Sequence, residues 1–228
     1  MADSTSALIT SVEAYVKDYM SHYDASHDWK HIQRVLHLAK QILASQEQSA
    51  SASSPSSPST SYDHTLVILG SLLHDVGDKK YLEPGQDAMT LVRDVLLARG
   101  ADAQLAARVQ ELALHVSFSS EIQDPARVRK VIERLPELAI VQDADRLDAI
   151  GAVGIGRCFA FTGAKGRKGT GDGSGKGEGL DGSIEHFKEK LELLQDMMKT
   201  ETGRKMAVER TERLRVFRQW WESEVEGV

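Results

Sequence analysis

The sequence has a single cysteine, Cys158, among 228 residues. One cysteine cannot form an intrachain disulfide, which excludes the class of small disulfide-stabilised secreted proteins and favours a reducing compartment. Lysine and arginine number 28 against 34 aspartates and glutamates, so the basic excess of a general nucleic-acid or anionic-membrane binder is missing. No apolar run approaches the roughly 20 residues that cross a bilayer, and no secretory signal opens the chain. We therefore expect a soluble cytoplasmic protein without nucleic-acid or membrane partners.

The chain has helical periodicity instead. From Leu8 onward, and again between Asp28 and Glu47, the apolar residues recur at the spacing of one helical face. Further on, Asp63, Asp102 and the pair Asp124-Pro125 are residue types that begin helices. These patterns predict an all-α bundle with one core, formed by residues 1–228 as a single domain.

Two segments interrupt this periodicity. Residues 45–61 are mostly serine with Pro55 and Pro58, a composition that buries little and breaks a helix twice. Residues 163–182 are rich in glycine with interspersed charges. We expect two flexible surface loops within one domain. The second loop contains Gly-Ser-Gly-Lys-Gly, but it is not a phosphate-binding loop, because a glycine follows the lysine where a hydroxyl is required.

The adjacent pair His74-Asp75 is the first candidate site. It ends an apolar run that begins near Leu66. An imidazole nitrogen and a carboxylate oxygen are suitable neighbouring ligands for a divalent metal ion that acts on water and phosphate. On its own, such a dipeptide is more often a hydrogen-bonded helix end. The metal hypothesis therefore depends on ligands elsewhere in the chain.

An acidic group at residues 143–148 is the second candidate, because it lies between two apolar stretches. Buried carboxylates need protons, cations or a metal ion to offset the loss of water. His31 lies at the border of the buried face of the second predicted helix. Together, two histidines and two aspartates make a set of ligands that suits Mn, Fe, Ni, Co, Zn or Mg: His31, His74, Asp75 and Asp145.

The order of these residues resembles the H…HD…D signature of the HD-domain metal-dependent phosphohydrolases. The matching stretches are His31-Ile32-Gln33-Arg34-Val35, His74-Asp75 and Ala144-Asp145-Arg146-Leu147. Residues 26–31, 143–156 and 186–191 are also similar to a small single-domain branch that includes nucleoside-triphosphate pyrophosphohydrolases. The resemblance spans about residues 15–221. It implies an all-α fold of the HD type and one divalent metal ion, with manganese favoured, bound by His31, His74, Asp75 and Asp145.

A divalent ion lowers the pKa of bound water and polarises a phosphoryl oxygen, so the ligands predict phosphate hydrolysis. Asp78 is the first candidate for proton transfer and Asp148 the second, although each is equally suited to a cap or an ion pair. Asp143 is either an acceptor for a ligand histidine or a surface charge. The candidates for contact with substrate, each with surface solvation as the alternative, are Arg34, Lys79, Lys80, Arg146, His27 and His115.

We expect a hydrolase of small phosphorylated metabolites, with nucleotides as the first class. It would act as a pyrophosphohydrolase on nucleoside triphosphates or as a phosphatase on monophosphates. Two alternatives stay open. A di-iron oxygenase of the same fold needs additional histidines, for which His27 and His115 are the spare candidates, and an HD module could bind nucleotide without catalysis. Trp220 and Trp221 could pack within the chain or across a homodimer.

Overall fold

The computed structural model describes residues 2–23, 26–52, 61–78, 82–167 and 179–227. Within these ranges the secondary structure is helical without a β-strand, which confirms the predicted all-α class. The helices are α1 (Ala2–Met20), α2 (Trp29–Ala52), α3 (His64–Leu73), α4 (Leu91–Leu97), α5 (Ala103–Leu114), α6 (Phe118–Gln123), α7 (Pro125–Arg134), α8 (Glu137–Asp148), α9 (Gly151–Arg167), α10 (Gly179–His186) and α11 (Glu201–Glu224). A π-helical turn (Phe187–Leu191) and a 3-10 segment (Glu192–Met197) connect α10 to α11.

Aspartate side chains begin α3 and α7, as the sequence predicted. The Asp63 carboxylate accepts a hydrogen bond from the Leu66 amide at 3.1 Å, and the Asp124 carboxylate accepts one from the Arg127 amide at 2.9 Å. Pro125 occupies the first position of α7, where a backbone N–H would have no helical partner. Each cap satisfies an otherwise unpaired N–H and stabilises its helix by about 0.5–2 kcal/mol.

Several helix boundaries differ from the prediction. The helix α2 continues to Ala52, because its serines accommodate the helix: Ser49 and Ser51 donate to the carbonyl oxygens four residues earlier. Likewise, α9 continues to Arg167 and α10 begins at Gly179. The predicted loops are therefore shorter, and their remaining parts, 53–60 and 168–178, lie outside the described residues.

The buried apolar residues of the described ranges form two clusters. The first joins α1, α3, α5 and α7 and includes Val12 and Leu112. The second joins α2 and α8 to the C-terminal segments and includes Ile42 and Phe187. Three helices, α2, α3 and α8, contribute side chains to both clusters and thus lie between them. Polar side chains on these three helices can meet where the clusters adjoin.

A membrane-spanning helix needs about 20 predominantly apolar residues. Within the described ranges, no single helix is long and apolar enough to cross a membrane, and one pair, Glu137–Asp148 with Gly151–Ala164, passes this test only jointly across a 72° bend.

Candidate metal centre

The predicted metal ligands lie on α2 and α8 and directly after α3, the three helices between the clusters. His31 lies in the first turn of α2, where the Asp28 carboxylate accepts a hydrogen bond from the His31 amide at 2.9 Å. His74 and Asp75 directly follow α3, and Asp145 lies in the last turn of α8. After the pair, the chain turns at Gly77, whose φ of 88° is in the left-handed region that favours glycine.

The four side chains converge on one small space. His31 Nε2 lies 3.2 Å from His74 Nε2, 3.2 Å from Asp75 Oδ2 and 3.6 Å from Asp145 Oδ1. His74 Nε2 lies 3.5 Å and 3.7 Å from the same two oxygens. Two ligands that are each about 2.1 Å from one ion, at angles of about 90–110°, lie about 3.0–3.4 Å apart. The spacings between the imidazoles and the carboxylates are therefore close to those of ligands that share a single ion, and the ligand atoms of His31, His74 and Asp145 all lie within 4.8 Å of one another.

Both imidazoles direct Nε2 toward this space because their Nδ1 atoms are occupied. His31 Nδ1 donates to Asp148 Oδ2 at 2.8 Å, and His74 Nδ1 donates to the Ser71 carbonyl oxygen at 2.8 Å. Carboxylate and carbonyl oxygens only accept hydrogen bonds, so each neutral ring carries its proton on Nδ1 and a lone pair on Nε2. Two lone pairs facing each other beside two carboxylates require a shared cation or a proton.

The carboxylate of Asp75 supports a metal site independently. Its Oδ2 is buried and accepts no hydrogen bond within the described residues. A buried oxygen without a partner is costly unless it binds a cation. The side chains of His31 and His74 are each 1% exposed, whereas those of Asp75 and Asp145 are 21% and 26% exposed. The residues present therefore fit a divalent metal, with the carboxylate side open to water and substrate.

In the absence of a metal ion, a proton takes the place of the cation. Burial lowers the pKa of His74, but the negative charges of Asp75 and Asp145 outweigh burial and raise this pKa to about 9. Burial has the opposite effect on the two carboxyl groups. Nevertheless the histidines beside them hold the pKa of Asp75 well below its ordinary value and lower the pKa of Asp145.

Asp148 lies at the opposite edge of the His31 ring. Besides the His31 hydrogen bond, it accepts two from Arg34, at 2.6 Å and 3.0 Å, and one from Arg157 at 3.1 Å. Burial favours the protonated form, but these partners hold the pKa of Asp148 well below its usual range. This position differs from the proton-transfer role that the sequence suggested for Asp148. The contacts suit an acceptor that orients His31, and they engage Arg34 through Nε and Nη2.

Two other residues of α8 face the C-terminal segments. Asp143 is buried and accepts hydrogen bonds from the amides of Lys199 and Thr200, the latter at 2.7 Å, so it is neither a surface charge nor an acceptor for a ligand histidine. Arg146 is also buried, and it donates to Glu121 at 2.6 Å and to a backbone carbonyl oxygen at 3.0 Å. Successive residues of a helix point about 100° apart, so Arg146 points away from the metal ligands when its neighbour Asp145 points toward them. This placement does not fit the predicted contact with substrate.

The remaining predicted residues lie at different places. The ring centroids of His27 and His31 are 6.0 Å apart. Asp78 follows the turn that carries the His74-Asp75 pair and is partly buried. His115 is buried, and its Nδ1 donates to the Glu111 carbonyl oxygen at 2.7 Å. Finally, Lys79 and Lys80 lie outside the described residues.

Arg157 was not among the predicted site residues. It donates to the Ser26 carbonyl oxygen at 2.7 Å as well as to Asp148, and thus joins α9 to the chain just before α2. A signal for it exists in the sequence. Arg157 is the single charged residue in the apolar stretch 149–161. A lone charge in such a stretch indicates a buried partner.

The fold and the cluster define a class: helical proteins in which histidine and aspartate side chains from neighbouring helical segments, here His31, His74 and Asp145, could hold a metal ion. The family model described as HD domain matches residues 28–150, from the start of α2 to the end of α8. This segment contains all four proposed ligands. The chain belongs to the HD-domain family.

Individual relatives cover nearly the whole chain. It is 33% identical over 217 residues to the uncharacterized protein YpgQ of Bacillus subtilis (strain 168), which covers 95% of the chain and 93% of that protein. The crystal structure of YpgQ in complex with ADP matches with a TM-score of 0.69 and 30% identity over 99% and 98% of the two chains. An HD-superfamily hydrolase from Bacillus thuringiensis matches with a TM-score of 0.64 and 27% identity over 98% and 100%.

Proposed function

We propose that this protein is a divalent-metal-dependent phosphohydrolase of small phosphorylated metabolites, with nucleotides as its first substrate class. The observation that carries the proposal is the convergence of His31, His74, Asp75 and Asp145, with two imidazole lone pairs and two carboxylates facing one space. The complex of YpgQ with ADP and the relative called a hydrolase support the choice of a nucleotide and of hydrolysis.

The donor set determines what the residues would do. His31 and His74 would hold the ion through Nε2, and Asp75 and Asp145 through carboxylate oxygens. The bound ion supplies a water of lowered pKa and a site that polarises a phosphoryl oxygen. A mixed set of imidazole and carboxylate ligands, acting on hard phosphate oxygens, keeps manganese as the favoured metal, with Mg, Fe, Co, Ni and Zn to be compared.

The surrounding residues have separate tasks in this proposal. Asp148 fixes the His31 ring through Nδ1 and keeps its Nε2 lone pair toward the ion. Asp78 moves the proton, because it follows Asp75 by three residues and is partly open to water. His27, whose ring centroid lies 6.0 Å from that of His31, would contact a substrate phosphate. Lys79 and Lys80 are proposed for the same contact from their sequence position alone.

A panel assay tests the function. Nucleoside mono-, di- and triphosphates are incubated with each metal in turn, and phosphate and pyrophosphate are measured separately. Pyrophosphate from triphosphates would establish a pyrophosphohydrolase, whereas phosphate from monophosphates would establish a phosphatase. The matched control is the His74→Ala variant, which should be inactive with every metal. If the wild-type chain binds metal and nucleotide but hydrolyses nothing, the enzyme hypothesis is wrong and the binding-module alternative replaces it.

Metal stoichiometry separates the remaining alternative. One ion per chain is expected, because the four converging side chains make one set of ligands. Elemental analysis after loading with iron provides the count. Two irons per chain would favour the di-iron oxygenase over the hydrolase.

A further inference from the structure

A groove of about 790 Å³ lies on the Nδ1 side of His31, between α2, the start of α9 and α11. Asp148 lines it, whereas none of the four proposed metal ligands does. Small-molecule sites in proteins commonly have volumes of about 300–1,000 Å³. The groove is therefore large enough for a ligand of its own, and Asp148, which lines it, is hydrogen-bonded to His31 of the metal centre.

The groove is basic in a chain whose formal net charge is -6. Lys30, Arg34, Arg210 and Arg213 line it, and Asp148 is the one carboxylate among its described lining residues. Burial lowers the pKa of Arg210 against the opposing effect of Asp148, and repulsion from Arg213 lowers it further. Four cations thus meet one carboxylate among the described residues that line the groove.

Much of this positive charge is available to a ligand. Arg213 pairs with Glu209, but these side chains are 52% and 72% exposed, and an exposed pair of this kind contributes about 0–1 kcal/mol. Lys30 forms no ion pair within the described ranges. Arg34 binds Asp148 through Nε and Nη2, which leaves the Nη1 donors on its 34% exposed side chain for another acceptor.

We propose that this groove binds a small polyphosphate anion at a site distinct from the metal centre. Arginine forks and lysine ammonium groups are well suited to phosphate oxygens, because charged hydrogen bonds to phosphate are stronger than neutral ones. This site requires neither the metal ion nor hydrolysis, so it goes beyond the proposed function. Its ligand would share Arg34 with Asp148, and Asp148 orients His31. The groove and the metal centre are therefore joined by three contacting side chains.

Calorimetric titration of the metal-free chain with inorganic triphosphate tests the site. The expected result is saturable binding of one anion per chain. The double variant Lys30→Gln, Arg213→Gln should weaken binding by at least about tenfold, because it removes two cations that would each make charged hydrogen bonds. Both residues are exposed, so the variant should fold. The matched control Arg129→Gln, Lys130→Gln removes two exposed cations from α7 and should change the affinity less than about twofold.

Two further titrations locate the site and identify its ligand. The variant Asp75→Asn, Asp145→Asn lacks the ligand carboxylates and should bind triphosphate at least as tightly as the wild type. If a non-hydrolysable nucleoside triphosphate binds with the same affinity as inorganic triphosphate, the groove recognises the phosphates alone. If the nucleotide binds more tightly, the groove also contacts the nucleoside. Absence of saturable binding, equal losses in the two arginine-lysine variants, or loss of binding in the aspartate variant would each overturn the proposal. Because these titrations omit metal and turnover, their outcome is independent of the proposed hydrolysis.

Discussion

The two edges of the His31 ring face opposite electrostatic surroundings. At Nε2 lie Asp75, Asp145 and a second imidazole, and this side needs a cation. At Nδ1 lies Asp148, held by two arginines beside a basic groove. In both places a carboxylate that is at least partly shielded from water requires a positive partner. The chain thus provides arginine on the Nδ1 side, whereas on the Nε2 side it leaves a space whose donors suit a metal ion.

The largest effect should follow from removing a residue on the Nε2 side. His74→Ala or Asp145→Ala is expected to lower metal affinity, and with it hydrolysis, by more than about 100-fold, because a direct ligand matters more than the residues that orient it. Elemental analysis and the nucleotide assay measure the two quantities. Asp94→Ala, which removes an exposed carboxylate on α4, is the control and should change neither. Unchanged metal content in both site variants would show that the ligands are misassigned.

Metal binding on the Nε2 side should depend strongly on pH. With the pKa of His74 at about 9, the metal must displace a proton at neutral pH, so metal affinity should rise by about 50-fold between pH 7 and pH 9. The folding stability of the metal-free chain should change with pH in the opposite direction to metal affinity. The folded-state pKa lies above the ordinary value of 6.5, so the stabilisation from protonated His74 is complete below about pH 6.5 and is lost as the pH rises through about 9.

Metal titrations at several pH values and in buffers of different ionisation enthalpy measure both the affinity and the released proton. Thermal unfolding in the presence of a chelator gives the stability over the same range. The His74→Gln variant should lose the pH dependence of unfolding. If metal affinity does not change between pH 7 and pH 9, no proton occupies the cluster, and the proposed competition between the metal ion and the His74 proton is wrong.

A smaller effect is expected on the Nδ1 side. Asp148→Ala should reduce metal affinity by about 10–100-fold, because His31 loses the acceptor that fixes its ring and tautomer. Asp148→Asn keeps an oxygen that can accept a hydrogen bond from His31 Nδ1, so this variant should lose less metal affinity than Asp148→Ala. Metal titration of the two variants checks this order, with circular dichroism to verify folding. Equal affinities for the wild type and both variants would mean that Asp148 does not orient the ligand.

The smallest effect should come from Arg210, at the far side of the groove. Its guanidinium donates to the Leu147 carbonyl oxygen near the end of α8. Arg210→Gln should lower the free energy of unfolding by about 0.5–1.5 kcal/mol through the loss of this hydrogen bond, with metal content unchanged. Urea unfolding measures the difference. Arg213→Gln on the exposed face provides the comparison and should remain within about 0.5 kcal/mol of the wild type.

The sequence was most informative where its signals are local. Periodic apolar residues and aspartate caps predicted the helices, and the order of His31, His74-Asp75 and Asp145 indicated the residues that the structure brings together. Such local signals could not predict which residues far apart in the chain contact each other. His31 and Asp148 are 117 positions apart, and no local pattern distinguishes a carboxylate that orients a ring from one that transfers a proton. For the same reason the contact between Arg146 and Glu121 was missed.

Helix ends were less predictable than helix positions. Serine and glycine favour loops on average, yet Ser49 and Ser51 lie within α2, where they donate to the backbone of the helix itself. Composition describes what a segment prefers in isolation. Whether a helix continues also depends on the packing of the turns before it, and that packing is set by residues elsewhere in the chain.

The family match ends at residue 150, just after α8, but α8 itself is covered by segments closer to the C-terminus. Ile140 and Leu147 are buried in the cluster that includes Phe187 and Leu214. The carboxylate of Asp143 receives its hydrogen bonds from the segment that begins α11. A fragment cut after residue 150 would expose this apolar face and remove the hydrogen-bond donors of Asp143. Any shortened version intended for expression or crystallisation should therefore retain the chain through α11.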